Sequence, residues 1–178
     1  MKTIKKTLAI LLFALMPILA NAQSIPARLE LSSVEINDGE RTLEVFQQIK
    51  DGVNSYYLSV GHLGIGNEIF QLQFDPLFEL FIPLGDNLEE AVATMEQIKG
   101  WYASGSSERF EIPGCLSAGF PSDELETVTV IPRRLLLSRN LIFKLERDGY
   151  ERNTYIPRSD FNSVLSGLKF YKKLHPKE

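Results

Sequence analysis

Cysteine and histidine are nearly absent from this sequence, and their scarcity excludes several kinds of site. The 178 residues include one cysteine, Cys115, and two histidines, His62 and His175. One cysteine cannot form an internal disulfide, and these three residues do not have the spacing of a zinc site. The sequence therefore predicts no metal site and no cofactor, in a chain that folds around an apolar core.

Long apolar runs are also absent, apart from one near the N-terminus. Residues 8–19 form a run of twelve almost wholly apolar residues, preceded by three lysines and followed by Ala20 and Ala22. The run is shorter than the roughly 20 residues that a membrane-spanning helix needs, and its flanks are typical of a secretory signal peptide. We therefore predict a cleaved signal peptide over residues 1–22 and a periplasmic or secreted mature chain without a membrane span. An uncleaved anchor is the alternative.

Basic residues are scarce in the first part of the predicted mature chain. Residues 23–104 hold four basic residues against thirteen acidic ones, a net charge of −9, whereas residues 105–178 hold twelve against ten, a net charge of +2. The total of −7 does not suit nucleic-acid binding, which needs a basic surface, so no nucleic-acid partner is expected. The uneven distribution predicts a polarised surface. The alternative is an ordinary solvated surface whose charges differ between the two parts.

Strand-like patterns separated by short turns fill most of residues 23–178, a length that suits a single domain. Alternating or β-branched runs predict strands over residues 28–36, 42–49, 53–60, 69–74, 77–82, 108–112, 126–131, 135–137, 141–146 and 150–156. Turn pairs such as Asp51-Gly52 and Asp148-Gly149 favour hairpins and hence antiparallel neighbours. Glycine, proline and serine over residues 114–124 predict a loop.

Two segments show helical spacing of their apolar residues. The first predicts a helix over residues 87–102, with Asp86 as the N-cap because Glu89 follows it at capping-box distance. The second predicts a helix that is capped by Ser159 or Asp160. Its apolar residues at helical spacing are Phe161, Val164, Leu165, Leu168, Tyr171 and Leu174.

The two parts of the chain resemble each other. Ile82-Pro83 and Ile156-Pro157 each precede a helix, and the runs 69–72 and 142–145 lie 73 residues apart. Proline cannot continue a ladder, so each Pro is expected to end its strand before the helix begins. The match predicts an internal repeat over residues 66–102 and 139–175; the alternative is that any hairpin followed by a helix would match in this way.

The predicted fold class is therefore α+β. An antiparallel meander sheet carries two amphipathic helices packed on one face, and the whole is built from two similar hairpin-plus-helix halves.

Motifs for catalysis are weak. Residues 61–66 contain three glycines, but their order does not match the dinucleotide-binding fingerprint. Residues 115–119, Cys-Leu-Ser-Ala-Gly, have cysteine where a nucleophile elbow has glycine. We predict no catalytic residue, and a small exported hydrolase using Cys115 or a carboxylate pair is the alternative function.

Basic residues concentrate in the second part of the chain and are the candidate binding residues. They are Arg133, Arg134, Arg139, Lys144, Arg147 and Arg152. Alternation along residues 141–145 places Lys144 opposite the apolar side chains, so several of the six could share a solvent-facing sheet surface. The arginine fork suits carboxylate, phosphate or sulfate. An ordinary solvated sheet face is the alternative.

Aromatic residues near the predicted loops are a second candidate contact surface. They are Tyr56, Tyr57, Trp101, Tyr102 and Phe120.

Three functions are compatible with these observations. The first is an exported non-enzymatic binding module whose partner is a protein or an acidic envelope polymer. The second is the small hydrolase. The third is a structural or assembly role, in which the acidic and basic parts of separate copies associate.

Overall fold

The computed structural model describes residues 28–36, 41–50, 52–61, 64–65, 79–118, 125–135, 138–147 and 150–176. Nine strands and two helices form in these residues. They are β1 (Arg28–Ile36), β2 (Arg41–Lys50), β3 (Val53–Gly61), β4 (Gly64–Ile65), β5 (Glu79–Gly85), α1 (Leu88–Trp101), β6 (Phe110–Ala118), β7 (Glu126–Leu135), β8 (Ser138–Arg147), β9 (Tyr150–Pro157) and α2 (Arg158–Leu174).

The sheet is an antiparallel meander, as the sequence predicts. Eight strands lie in the order β1-β2-β3-β5-β6-β7-β8-β9, and every neighbouring pair is antiparallel. The two-residue strand β4 pairs with the far side of β9, opposite Asn153 and Arg152. Short strands joined in sequence order and accompanied by two helices make the fold α+β, with the sheet curved into a half-barrel.

Strand alternation decides which side chains enter the core. In β5 the side chains of Leu80, Ile82 and Leu84 are buried while their neighbours are half-buried. Side chains alternate between the two faces of a strand, so the apolar member of each pair of neighbours is directed inward. Residues from eight of the strands and from both helices join in one buried cluster. Each large aliphatic side chain buried in this way contributes roughly 1.5–3 kcal/mol.

The first helix begins one residue later than predicted. Asn87, not Asp86, is the N-cap of α1, and its Oδ1 accepts a hydrogen bond from the backbone N–H of Glu90 at 2.9 Å. The Glu90 carboxylate in turn accepts from the backbone N–H of Asp86, also at 2.9 Å. Asn87 and Glu90 have the same three-residue spacing as Asp86 and Glu89, so the sequence pattern does not distinguish the two candidate caps. The prediction of Asp86 as the cap is wrong.

The second helix starts without a side-chain cap. Pro157 occupies the N-cap position of α2, so the prediction that Ser159 or Asp160 caps the helix is wrong. The Ser159 hydroxyl instead donates to the carboxylate of Asp160 at 3.0 Å within the first turn. Proline fixes the extended backbone before the helix, and Asp160 in the first turn suits the helix dipole.

Helix α2 reaches both ends of the meander. It contacts β1 and β2 at one end, β8 and β9 at the other, and also α1. Its buried side chains are Phe161, Val164, Leu165 and Leu168, all predicted, whereas Leu174 is 59% exposed. The first and last strands can meet one helix only if the sheet between them curves, which accounts for the half-barrel.

Four prolines lie in the described strands, namely Pro83, Pro113, Pro132 and Pro157. Pro157 ends β9 as predicted, but Pro83 lies inside β5, paired with Tyr57, so the prediction that it ends the strand is wrong. Pro132 likewise lies inside β7, which runs unbroken where the sequence predicts two short strands. The described β5–β6 pairs stop at Phe81 and the β6–β7 pairs stop at Val130. Each of these two prolines therefore lies where its strand has lost one neighbour, a position at which proline is tolerated.

The predicted loop over residues 114–124 is also wrong in its first part. Strand β6 continues through Gly114 to Ala118, with a register shift between Ile112 and Cys115. Gly114 has a φ of +76°, which suits such a bulge because only glycine adopts this conformation freely. The rest of that segment and the predicted strand 69–74 lie outside the described residues.

Candidate functional site

The turn after α1 forms one wall of the candidate site. The Ala103 and Ser104 N–H groups donate to the carbonyls of Gly100 and Trp101, at 3.0 and 3.1 Å, and so end the helix. Beyond them, Gly105 and Glu108 are joined twice: Glu108 N–H donates to Gly105 O, and Gly105 N–H donates to Glu108 Oε1, both at 3.0 Å. These bonds hold the small residues of the turn in a defined conformation.

Tyr102 anchors the same wall to the core. It is 2% exposed, and its hydroxyl donates to the carbonyl of Ile156 at 3.0 Å. Its ring lies against Phe161, with 5.6 Å between the ring centroids. Burial, assisted by the nearby charge of Asp160, holds the pKa of Tyr102 well above its ordinary value. The phenol therefore acts as a neutral donor that fixes the start of the turn.

The opposite wall comes from the adjoining parts of β7 and β8. In their register Arg134 lies directly opposite Arg139, and Arg133 lies opposite Asn140. Arg139 Nη1 donates to the backbone carbonyl of Tyr102 at 3.2 Å, which links the two walls. Arg133 and Arg134 are exposed.

The two walls enclose a cleft of about 250 Å³, which we call the arginine cleft. It is lined by residues 102–106 of the turn, by residues 132–134 of β7 and by Arg139 of β8. No carboxylate is among the side chains that line it. In the described part of the chain, none of its three arginines forms an ion pair. Arg134 and Arg139 face each other and so concentrate positive charge in the cleft. Like charges directly opposite each other on neighbouring strands repel.

Half of the six predicted binding residues therefore meet at one place, and the other three lie elsewhere. Lys144 is bound to Glu146 and Glu151, its Nζ lying 2.8 Å from Glu151 Oε2. Hydrogen bonds to these two carboxylates raise the pKa of Lys144. By backbone register Arg147 pairs with Tyr150 and Arg152 with Leu145; their side chains lie outside what the structure describes.

Sequence reasoning missed the contribution of residues 102–106. The segment has the composition of an ordinary helix-ending turn, and nothing in its residue types indicates a basic partner. The Tyr102–Arg139 hydrogen bond, between residues 37 positions apart, brings the turn to the arginines.

A second charged cluster shows how an arginine with partners differs from those in the cleft. Arg28 Nη2 lies 3.2 Å from Glu44 Oε2, and its Nη1 lies 2.9 Å from Glu79 Oε1. The guanidinium also lies over the ring of Phe46, 5.1 Å from its centroid. Burial raises the pKa of Glu44, and the charge of Arg28 opposes that rise. The contacts of Arg28 therefore stabilise the fold, whereas Arg133 and Arg134 form no ion pair among the described residues.

The cysteine named in the alternative hydrolase hypothesis lies in the core. Cys115 is fully buried and its Sγ lies 3.3 Å from the carbonyl of Ile112. Burial raises the pKa of the Cys115 thiol to about 12. A nucleophilic cysteine needs an accessible thiolate, so these surroundings do not favour the thiol version of the hydrolase hypothesis. His62, the residue that could act as a base for such a thiol, lies outside the described residues.

The aromatic candidates do not form one surface. Tyr56 is buried, Tyr57 stacks on Phe46 with centroids 5.6 Å apart, and Trp101 stacks on Phe110 with centroids 4.6 Å apart. Phe120 lies outside the described residues.

Among the residues that the structure describes, no three His, Cys, Asp or Glu side chains are grouped as a metal ion would require. Within the same residues, neither helix has the length and apolar character needed to cross a membrane.

Comparisons with protein-family models, with characterised proteins and with solved structures find no match for this chain.

Proposed function

We propose that this chain is an exported, non-enzymatic interaction module that binds an acidic partner, either a protein or an acidic envelope polymer, in the arginine cleft. The observation that carries the proposal is the meeting of Arg133, Arg134 and Arg139 in one cleft whose lining has no carboxylate. Guanidinium groups bind carboxylate, phosphate and sulfate through paired hydrogen bonds. The cleft therefore supplies charge and donors that only a negative partner would satisfy.

Export of the protein is part of this proposal. It is supported by the basic, apolar and small-residue order of residues 1–22. The mature protein, recovered from the periplasm or the medium, should begin at Gln23 and its intact mass should correspond to residues 23–178. A protein that keeps residues 1–22 and stays with the membrane would instead support the uncleaved anchor.

The finer architecture is also proposed: one domain over 23–178 made of two similar halves, with both helices on one face of the sheet. The element order supports the halves, because four strands of the meander precede each helix. Buried positions of the helices also match at a separation of 73 residues, Leu88 with Phe161 and Met95 with Leu168. The helices contact each other and share one core cluster, which supports packing on a common face.

Capture of a partner tests the function. The protein is immobilised and exposed to an envelope extract at low and at high salt, beside the variant Arg133→Glu/Arg134→Glu. We expect one dominant partner that the wild-type protein retains at low salt and releases at high salt, because exposed charges are screened within about 10 Å at 0.1 M salt. The double reversal should reduce retention at least tenfold.

The control is Lys173→Glu/Lys50→Glu, which changes the total charge equally at two exposed residues outside the cleft. Retention by this variant should equal that of the wild-type protein. Equal loss in both double variants would show that net charge, not the cleft, governs capture. Salt-sensitive association of the protein with itself, in place of a partner, would support the assembly role.

A further inference from the structure

The chemistry of the cleft narrows the kind of acidic group that fits it. Resting on the proposed function, we propose that the arginine cleft binds a dianionic oxyanion, namely a phosphate monoester carried by an envelope polymer, in preference to a single carboxylate.

The side chains that line the cleft offer hydrogen-bond donors and no carboxylate. Three of the five backbone carbonyls of its turn already accept hydrogen bonds: Tyr102 O from Arg139, Gly105 O from Glu108, and Ser106 O from Arg109 at 2.9 Å. The Gly105 N–H is bound to the Glu108 carboxylate. Guanidinium N–H groups and serine hydroxyls remain, and they suit a ligand that accepts many hydrogen bonds at once.

The charge of the cleft exceeds what one carboxylate can balance. Three arginines are among the residues that line it, and Arg134 lies opposite Arg139 on the neighbouring strand. A carboxylate brings one negative charge, whereas a phosphate monoester brings about 1.5 to 2 at pH 7 and three acceptor oxygens. A dianion therefore relieves more of the repulsion between the opposed arginines, and its oxygens can bind more than one guanidinium.

The size of the cleft indicates that it takes a group rather than a whole molecule. Its volume of about 250 Å³ is below the roughly 300–1,000 Å³ of pockets that enclose small ligands. A phosphate that projects from a chain enters such a cleft while the chain remains outside. Several phosphates on one polymer then raise the apparent affinity through effective concentration.

Titration followed by nuclear magnetic resonance tests the group. Inorganic phosphate, sulfate and acetate are added separately to the ¹⁵N-labelled protein at constant ionic strength. We expect phosphate and sulfate to shift the amide signals of residues 102–106 and to bind at least tenfold more tightly than acetate. Acetate that binds as tightly, or shifts confined to other residues, would overturn the preference for a dianion.

Single variants locate the effect in the cleft. Arg134→Gln and Arg133→Gln should each weaken phosphate binding about tenfold, whereas Lys173→Gln, which removes one charge elsewhere, should leave it unchanged. Arg133 is included because no described contact of its side chain holds the fold together, so its variant keeps the structure. Unchanged phosphate binding in both arginine variants would remove the cleft as the site.

A titration with a polymer distinguishes the two sources of phosphate, the free ion and a phosphate carried by a polymer. Phosphorylated dextran should compete with inorganic phosphate and bind at least tenfold more tightly per phosphate, and unmodified dextran should not bind. Binding of inorganic phosphate alone would mean that the cleft takes the free ion and would overturn the polymer source.

The failures of the two proposals are distinguishable. If capture from the extract depends on Arg133 and Arg134 but inorganic phosphate neither binds nor competes, the dianion inference fails and the proposed function stands. If phosphate binds in the cleft but the charge-reversed variant still captures the partner, the proposed function fails.

Discussion

Gly167 of α2 lies against Ser32 of β1, and the contact leaves no room for a side chain. A Cβ at position 167 would overlap Ser32 Oγ and lie 3.0 Å from Ser32 Cβ. The Ser32 hydroxyl donates to the carbonyl of Val164 at 2.9 Å, one turn earlier in the helix. The backbone of α2 therefore depends on glycine for its close approach to the first strand.

Gly167→Ala should destabilise the protein by about 1–3 kcal/mol, since an added methyl group forces a well-packed contact apart. Urea unfolding followed by circular dichroism measures it as a lower midpoint at an unchanged slope. The matched control is Gly100→Ala in α1, where a Cβ would meet nothing within 4 Å. There alanine should stabilise the helix by up to about 1 kcal/mol. Equal stabilisation by both changes would contradict the close contact at Ser32.

Single residues also show where sequence reasoning reached its limit. The burial of Phe161, Val164 and Leu168 follows from helical spacing alone, and it is confirmed. The different environments of Arg134 and Lys144 do not follow from the sequence, because both are basic residues on strands. Glu146 lies two residues along the same strand, but Glu151 comes from β9, so the strand register decided that second partner of Lys144.

Among the elements, α1 shows how its N-terminus is determined. Asp86 and Asn87 both favour the N-cap, and both have a glutamate three residues later. Asn87 takes the position because Glu90 folds back over Gly85 to reach the N–H of Asp86; a Cβ on Gly85 would lie 2.5 Å from Glu90 Cβ. The two sequence patterns are equal, and Gly85, the residue before them, determines which of the two residues becomes the N-cap.

Asn87→Ala should cost about 1 kcal/mol of unfolding free energy, because it removes the acceptor for the Glu90 N–H. Asp86→Ala is the paired control and should change the stability by less than about 0.5 kcal/mol, since Asp86 contributes its backbone N–H to the described contact. Both values come from thermal or urea unfolding at the same pH. If Asp86→Ala lowered the unfolding free energy more than Asn87→Ala, the N-cap would be Asp86, as the sequence predicts.

The bounds of a strand were predictable where apolar and polar residues alternate, and less predictable where proline or glycine interrupts the alternation. Strands β1, β2, β3 and β9 agree with their predictions within about one residue. Strands β6 and β7 run longer than predicted, through Gly114 and Pro132. Both residues are normally read as strand breakers, and both are accommodated here because the neighbouring strand ends or bulges beside them.

On the scale of the whole molecule, the chain is held together across its middle. Strands β5 and β6 pair through Phe81 and Leu116, which joins the strands before α1 to those after it. Helix α2, the last element, contacts β1, the first. The buried cluster contains residues from both parts of the chain.

Neither part should therefore fold without the other. Residues 23–104 and residues 105–178, produced separately, should each give the amide spectrum of an unfolded chain, whereas the whole protein should unfold in one cooperative transition. Mixing the two fragments should restore structure, because the β5–β6 pairing and the contacts of α2 can form again. A fragment that folds alone with dispersed amide signals would show two independent units.

What the sequence by itself determined is local: the antiparallel meander, the two helices and the identity of most core residues. These follow from periodicity and turn residues, which act between neighbours along the chain. Only the tertiary structure decided the curvature of the sheet and the meeting of three arginines with the turn after α1. Those features depend on contacts between residues far apart in sequence, such as Tyr102 with Arg139 and Ser32 with Gly167, and no local pattern encodes such pairs.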